Sequence, residues 1–143
     1  MNYFEELTVG ESDSVGEYEV TREEVTSFAE QYDPQAIHTD PEVAASSMFG
    51  GLVASGWHTA AMTMRLLVDG RLADSRALGA LGVDSLRWPE PVRPGDTLSV
   101  RTEISETEVF DEERGRVAIA VTTTTQRGDT ALTMVAQVLW ERR

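Results

Sequence analysis

After Gly79 and Gly82 the hydrophobic pattern changes from mainly helical spacing to alternation. There, residues 82–88, 97–107, 117–126 and 131–140 are rich in β-branched side chains and alternate. Val117, Ile119 and Val121, and then Leu132, Met134, Ala136, Val138 and Trp140, fall on every second position. A period of two puts one face in the core and the other in water, so these segments predict strands. Pro94-Gly95-Asp96, the run from Asp111 to Gly115, and Arg127-Gly128-Asp129 separate them. The last three strands therefore predict an antiparallel meander.

Before Gly79 the spacing is helical. Phe4 to Glu11 reads as an arm turning at Gly10, and the alternation at Glu17-Tyr18-Glu19-Val20 predicts a short strand. Thr21 and Glu24 have capping-box spacing, and Val25, Phe28 and Ala29 make one apolar stripe of a helix ending near Tyr32. Pro34 stops it, because the residue before proline is pushed out of helical geometry. Asp40 or Thr39 caps a second short helix, with Pro41 at its first position, running to about Ser47. A long helix is predicted after Gly50-Gly51 as far as Leu67 or Leu72. Its only charge to Val68 is Arg65 and it is apolar on every side, which predicts a buried helix of roughly 25 Å. The sum is an α+β layout, a strongly curved antiparallel sheet wrapped around one long apolar helix.

Composition narrows the function. At 143 residues the chain is one domain with room for a sizeable core. It has no cysteine and two histidines, too few for a zinc centre without carboxylates, so metal-assisted chemistry is not expected. A net charge of −13 argues against nucleic acid or anionic membrane as a partner. All 12 basic residues are arginines. The N-terminus lacks a basic segment followed by an apolar one, and Ser55, His58, Thr59, Thr63 and Arg65 interrupt the longest apolar run. This predicts a soluble, cytoplasmic protein.

The chemistry is concentrated between Tyr32 and Met64. Asp33 and His38 lie five apart in a segment opened by Asp33-Pro34 and closed by Asp40-Pro41. A carboxylate and an imidazole at fixed short spacing are the two groups needed to handle one water molecule near neutral pH. Gly56 reads equally as a close-packing glycine and as a helix first-turn residue whose N–H favours developing negative charge. His58 reads as a satisfied core histidine.

Asp33 and His38 with four residues between them, followed by Phe49-Gly50-Gly51-Leu52-Val53-Ala54-Ser55-Gly56-Trp57, resemble the signature of the MaoC-like dehydratases, which include the (R)-specific enoyl-CoA hydratases. Arg87-Trp88 through Pro91-Val92-Arg93-Pro94-Gly95-Asp96 is similar to that family's later strand-and-turn segment. The resemblance implies a hot-dog fold, a homodimer with the sheets of two subunits joined, and no cofactor. It also implies reversible hydration of a 2-enoyl-CoA thioester to an R-configured 3-hydroxyacyl product, with Asp33 and His38 activating water and the Gly56 N–H polarising the thioester carbonyl.

Phe49, Leu52, Val53, Trp57 and Trp88 are candidates to line an acyl tunnel, or are core. Arg87 and Arg93 are candidate phosphate or pantetheine contacts, or solvated strand-edge arginines. Gln35-Ala36 and Ser55 stand where family members that hydrate straight-chain enoyl-CoA commonly have Asn-Pro and a histidine, which weakens that substrate assignment. A hot-dog thioesterase and a non-catalytic acyl-CoA-binding module remain the rival readings.

Overall fold

A computed structural model describes residues 1–143. The strands are β1 (Ser12–Glu19), β2 (Ala77–Arg87), β3 (Thr97–Val109), β4 (Arg114–Thr125) and β5 (Thr130–Glu141). They form one antiparallel sheet in the order β1-β3-β4-β5-β2. The predicted meander is thus its centre. β1 and β2, distant in sequence, are its edges, and each is longer than its own alternation indicated because a partner's ladder extends it.

Four helices precede β2: α1 (Arg22–Tyr32), α2 (Ala36–Thr39), α3 (Pro41–Ala45) and α4 (Gly56–Leu67). Thr21 caps α1 by accepting the Glu24 N–H at 3.2 Å. The reciprocal half of the capping box is missing, because the Glu24 carboxylate turns instead to Tyr18 and His58. Asp40 rather than Thr39 caps α3, accepting from Glu42 N–H at 3.0 Å and Val43 N–H at 3.3 Å. α2, a single turn carrying His38, has no periodicity to announce it.

The long helix differs from expectation in two ways. It begins at Gly56 rather than after Gly51, since Leu52 to Ser55 run extended and buried. There the Val53 N–H bonds the Ile37 carbonyl at 3.3 Å and the Ala54 N–H the Val92 carbonyl at 2.8 Å. Twelve residues give about 18 Å of α-helix, and a π-type turn at Val68–Leu72 continues it. Nor is it buried all round. His58, Thr59, Met62, Thr63, Leu66 and Leu67 pack inward, while Trp57 and Met64 are 59% and 48% exposed.

The inward face of α4 shares one hydrophobic core with Val100 and Ile104 of β3, Val117, Ile119 and Val121 of β4, and Leu132, Val138 and Trp140 of β5. Deep in that core the Thr63 and Thr123 hydroxyls pair at 2.7 Å, so the two polar groups satisfy one another. No helix is long and apolar enough to cross a membrane.

The turn before β3 is pinned by Asp96, 3% exposed. It accepts from the Arg93 N–H at 2.9 Å, from Gln126 Nε2 at 3.1 Å and from Arg127 Nη1 at 2.7 Å. Burial pushes its pKa up, but these donors, Arg127 first, outweigh that and hold it below the usual carboxylate range. A lowered folded-state pKa means stabilisation that is present above the unfolded pKa and lost as pH falls through the folded one. Asp96→Asn is accordingly expected to cost about 2 kcal/mol at neutral pH, limited by the half-exposed position of Arg127. Urea unfolding should show the difference from wild type narrowing in acid; a difference independent of pH would contradict the assignment.

Candidate active site

Asp33 is the C-cap of α1, with its N–H bonded to the Ala29 carbonyl at 2.8 Å. Pro34 ends the helix there and turns the chain into α2, where His38 is 6% exposed. His38 Nδ1 lies 2.6 Å from the Val53 carbonyl oxygen. A carbonyl only accepts, so Nδ1 carries the proton and Nε2 faces Asp33 Oδ2 at 3.3 Å. In the neutral ring that Nε2 bears a lone pair, so two acceptors confront each other. A proton, or a water donating to both, resolves the conflict.

Two further side chains hold Asp33. The Gln35 amide donates to Oδ1 at 2.7 Å, and the Ser55 hydroxyl donates to Oδ2 at 2.7 Å. Those bonds, Gln35 first and Ser55 second, hold the Asp33 pKa below its ordinary value against the opposing effect of burial, with a smaller electrostatic contribution from His38. Asp33 is therefore a fixed carboxylate at neutral pH.

Ser55 is also the N-cap of α4, accepting from the Trp57 N–H at 3.3 Å. Gly56 is the first helical residue, so its N–H has no intrahelical carbonyl to bond. The Trp88 indole packs against it. A Cβ at Gly56 would stand 2.6 Å from Trp88 Cε2, which only glycine avoids. Trp57 meets Trp88 edge to face with ring centroids 5.2 Å apart.

These groups open on one cavity of about 460 Å³, lined among others by Asp33, His38, Phe49, Val53, Gly56, Trp57 and Trp88. The structure thus brings together seven of the ten candidates. The other three lie outside the lining. Leu52 is buried in the core, Arg87 is exposed at the end of β2, and Arg93 donates from Nη2 to the Phe49 carbonyl at 2.6 Å. Arg93 therefore fixes the Phe49-Gly50-Gly51 loop. Met48, 91% exposed, sits at the rim.

Sequence reasoning named Gln35 and Ser55 only as departures from the family pattern and gave Thr59 and Glu90 no role in the site, yet all four line the cavity. A serine directly before an apolar helix is an N-cap signal, and it was available at Ser55. Its second bond, to an acid 22 residues away, had no local signal. The lining holds the acids Asp33 and Glu90 and no arginine.

One long helix on a five-stranded antiparallel sheet, with an acid–histidine pair facing the helix N-terminus, is a hot-dog domain. The chain belongs to the MaoC-like domain family, whose model matches residues 6–126. It is similar to the MaoC-like dehydratase from Rhodospirillum rubrum, at 39% identity and a TM-score of 0.91 over 100% of this chain and 99% of that one. It is 38% identical over 120 residues to a 3-hydroxyacyl-thioester dehydratase Z of Mycobacterium tuberculosis, covering 82% of this chain and 76% of the relative. An (R)-hydratase from A. caviae involved in PHA biosynthesis aligns at 26% identity with a TM-score of 0.75, over 93% and 96% of the two chains.

Because Gln35 and Ser55 both donate to the charged form of Asp33, removing either raises its pKa. Carboxyl carbon NMR titration of Gln35→Ala and Ser55→Ala should place the Asp33 midpoint above wild type in both. An unshifted midpoint in both would show that neither bond persists in solution.

Proposed function

We propose that the protein reversibly hydrates a 2-enoyl thioester carried by coenzyme A to the R-configured 3-hydroxyacyl thioester, with no cofactor. The observation that carries this reading is the convergence of Asp33, His38 and the free Gly56 N–H on one cavity. The family relation and the dehydratase named among the relatives support it.

In this reading a water sits beside the pair in the cavity and donates to both Asp33 Oδ2 and His38 Nε2, which are 3.3 Å apart. As its oxygen bonds to the β-carbon, its proton passes to the Nε2 lone pair, and the Asp33 carboxylate stabilises the imidazolium that forms. The electron pair of the C=C bond moves onto the thioester oxygen as an enolate. The Gly56 N–H, helped by the N-terminal end of α4, stabilises that charge, a preorganised effect that grows as the reaction proceeds. A proton returned from the pair to the α-carbon completes the addition. Trp57, Trp88, Phe49 and Val53 bound the acyl group. With no arginine in the lining, the cavity recognises the acyl thioester rather than the phosphates of its carrier.

The working unit in this proposal is a cytoplasmic homodimer. β2 pairs on one side only, with β5, and Leu78, Leu81 and Val83 along it are about half exposed. Beside them Met64 and Val68 of the helix border an apolar cavity of about 490 Å³. A long apolar edge strand left open invites pairing with another chain. A second copy, edge to edge, covers it. Sedimentation at micromolar concentration should therefore show a species of twice 15.8 kDa, and a stable, active monomer would defeat this assembly.

Asp33→Asn and His38→Gln keep shape while removing proton transfer. Each is expected to lower kcat for crotonyl-CoA hydration on the order of 10²–10⁴-fold, and the double variant little further, because groups acting as a unit are not additive. Loss of enoyl absorbance without free thiol identifies hydration. Thiol release would instead mean a thioesterase, and single variants retaining more than about a tenth of wild-type kcat would refute the mechanism.

A further inference from the structure

Outside the cavity, Tyr18, Glu24 and His58 form a polar cluster that joins β1, α1 and α4. His58 is the third residue of α4 and 2% exposed. Its Nε2 lies 3.2 Å from Glu24 Oε1 of α1, and the same carboxylate oxygen accepts from the Tyr18 hydroxyl of β1. The imidazole stacks on Phe28 of α1, with centroids 4.7 Å apart and planes 9° from parallel. Nδ1 is buried without a partner.

That geometry fixes the tautomer. Glu24 can only accept, so Nε2 carries the proton, and the unpartnered Nδ1 keeps a lone pair rather than a stranded N–H. Protonating the ring would bury an N–H with no acceptor. Burial accordingly pushes the His58 pKa down despite Glu24. Burial first and the Glu24 carboxylate second push the Tyr18 pKa up to about 12. Tyr18 thus stays a phenol and His58 a neutral imidazole around neutral pH.

Ser55 and His58 are three apart, so they lie on one face of the first turn of α4. Both are tied to α1, Ser55 to Asp33 at its C-terminal end and His58 to Glu24 in its first turn. Gly56 lies between the two ties. We propose that His58, through Glu24 and Tyr18, is a positioning residue that sets the N-terminal turn of α4, and with it the Gly56 N–H, relative to Asp33. With the Ser55 tie alone, the turn pivots about one hydrogen bond. With both, it is fixed in translation and rotation against the element that carries the acid.

This inference rests on the hydratase reading for its kinetic arm but not for its structural one. His58→Leu fills much of the ring's volume and loses the tether, whereas His58→Gln keeps an N–H within reach of Glu24 and loses the stack on Phe28. If His58 positions the turn, His58→Leu lowers kcat about 10- to 100-fold with little change in KM, because alignment with the enolate oxygen matters only in the transition state. His58→Gln then retains kcat within about threefold even though it melts lower. A packing role predicts the opposite: both variants melt lower, and both turn over normally per folded molecule.

Hydrogen exchange supplies the arm that needs no substrate. The His58 and Thr59 amides both bond the Ser55 carbonyl at 3.0 Å. They should exchange at least tenfold faster in His58→Leu than in His58→Gln, with amides in the second half of α4 unchanged. Equal exchange of those two amides in the two variants would overturn the proposal whether or not the wild type hydrates enoyl-CoA. Faster exchange alongside an inactive wild type would uphold the clamp and reject the hydratase reading.

Discussion

The short extended run from Leu52 to Ser55 is the constraint on which the site depends. Four of its polar groups are committed to other segments. The Val53 N–H and carbonyl bond Ile37 and His38, the Ala54 N–H bonds Val92, and the Ser55 hydroxyl bonds Asp33. Buried backbone groups are costly to leave unpaired. The partners the strip recruits are the loop of the acid, the turn of the histidine and the segment after Trp88. Satisfying the strip assembles the cavity, and the helix that follows begins where the strip's last hydroxyl caps it.

One hydroxyl thereby serves two ends. Ser55 Oγ accepts from the helix and donates to the carboxylate, so the N-terminus of α4 and the ionised Asp33 are held in one hydrogen-bonded chain. The carboxylate is the charge that a helix N-terminus stabilises. Its cost at the C-terminal end of α1, where the dipole opposes it, is offset by Gln35 and Ser55. The arginines, scarce in a chain of charge −13, are largely used in the fold. Arg93 holds the Phe49 loop, Arg127 the Asp96 turn, Arg76 reaches Glu141, and Arg116 binds Glu106 and Glu108 across the sheet. What remains at the cavity is shape, apolar surface and hydrogen bonding.

Much was legible in the sequence because it was local. The alternation of β4 and β5 marked their buried faces, Thr21 marked the start of α1 and Pro34 its end, and Pro41 marked the first turn of α3. Spacing alone put Asp33 and His38 within a turn of each other. The boundaries of α4, β1 and β2 were less legible, since each is decided by what lies across from it. Residues 52–55 are apolar enough to continue a helix, yet Ile37 and Val92 take their backbone N–H groups. Ala77 to Ala80 would not pair without β5 beside them.

The same division separates the site residues. The identities of the acid, the histidine and the glycine belong to the sequence, because their chemistry and their spacing are covalent facts. Their second partners belong to the tertiary structure. Ser55 on Asp33, Val53 on His38, Trp88 on Gly56 and Arg93 on the Phe49 carbonyl are each chosen by packing between segments, as the 44 residues separating Phe49 from Arg93 make plain. A hydrogen bond has a direction and a reach of about 3 Å. Which of several distant groups comes within that reach is fixed only when the helix and the sheet close on one core.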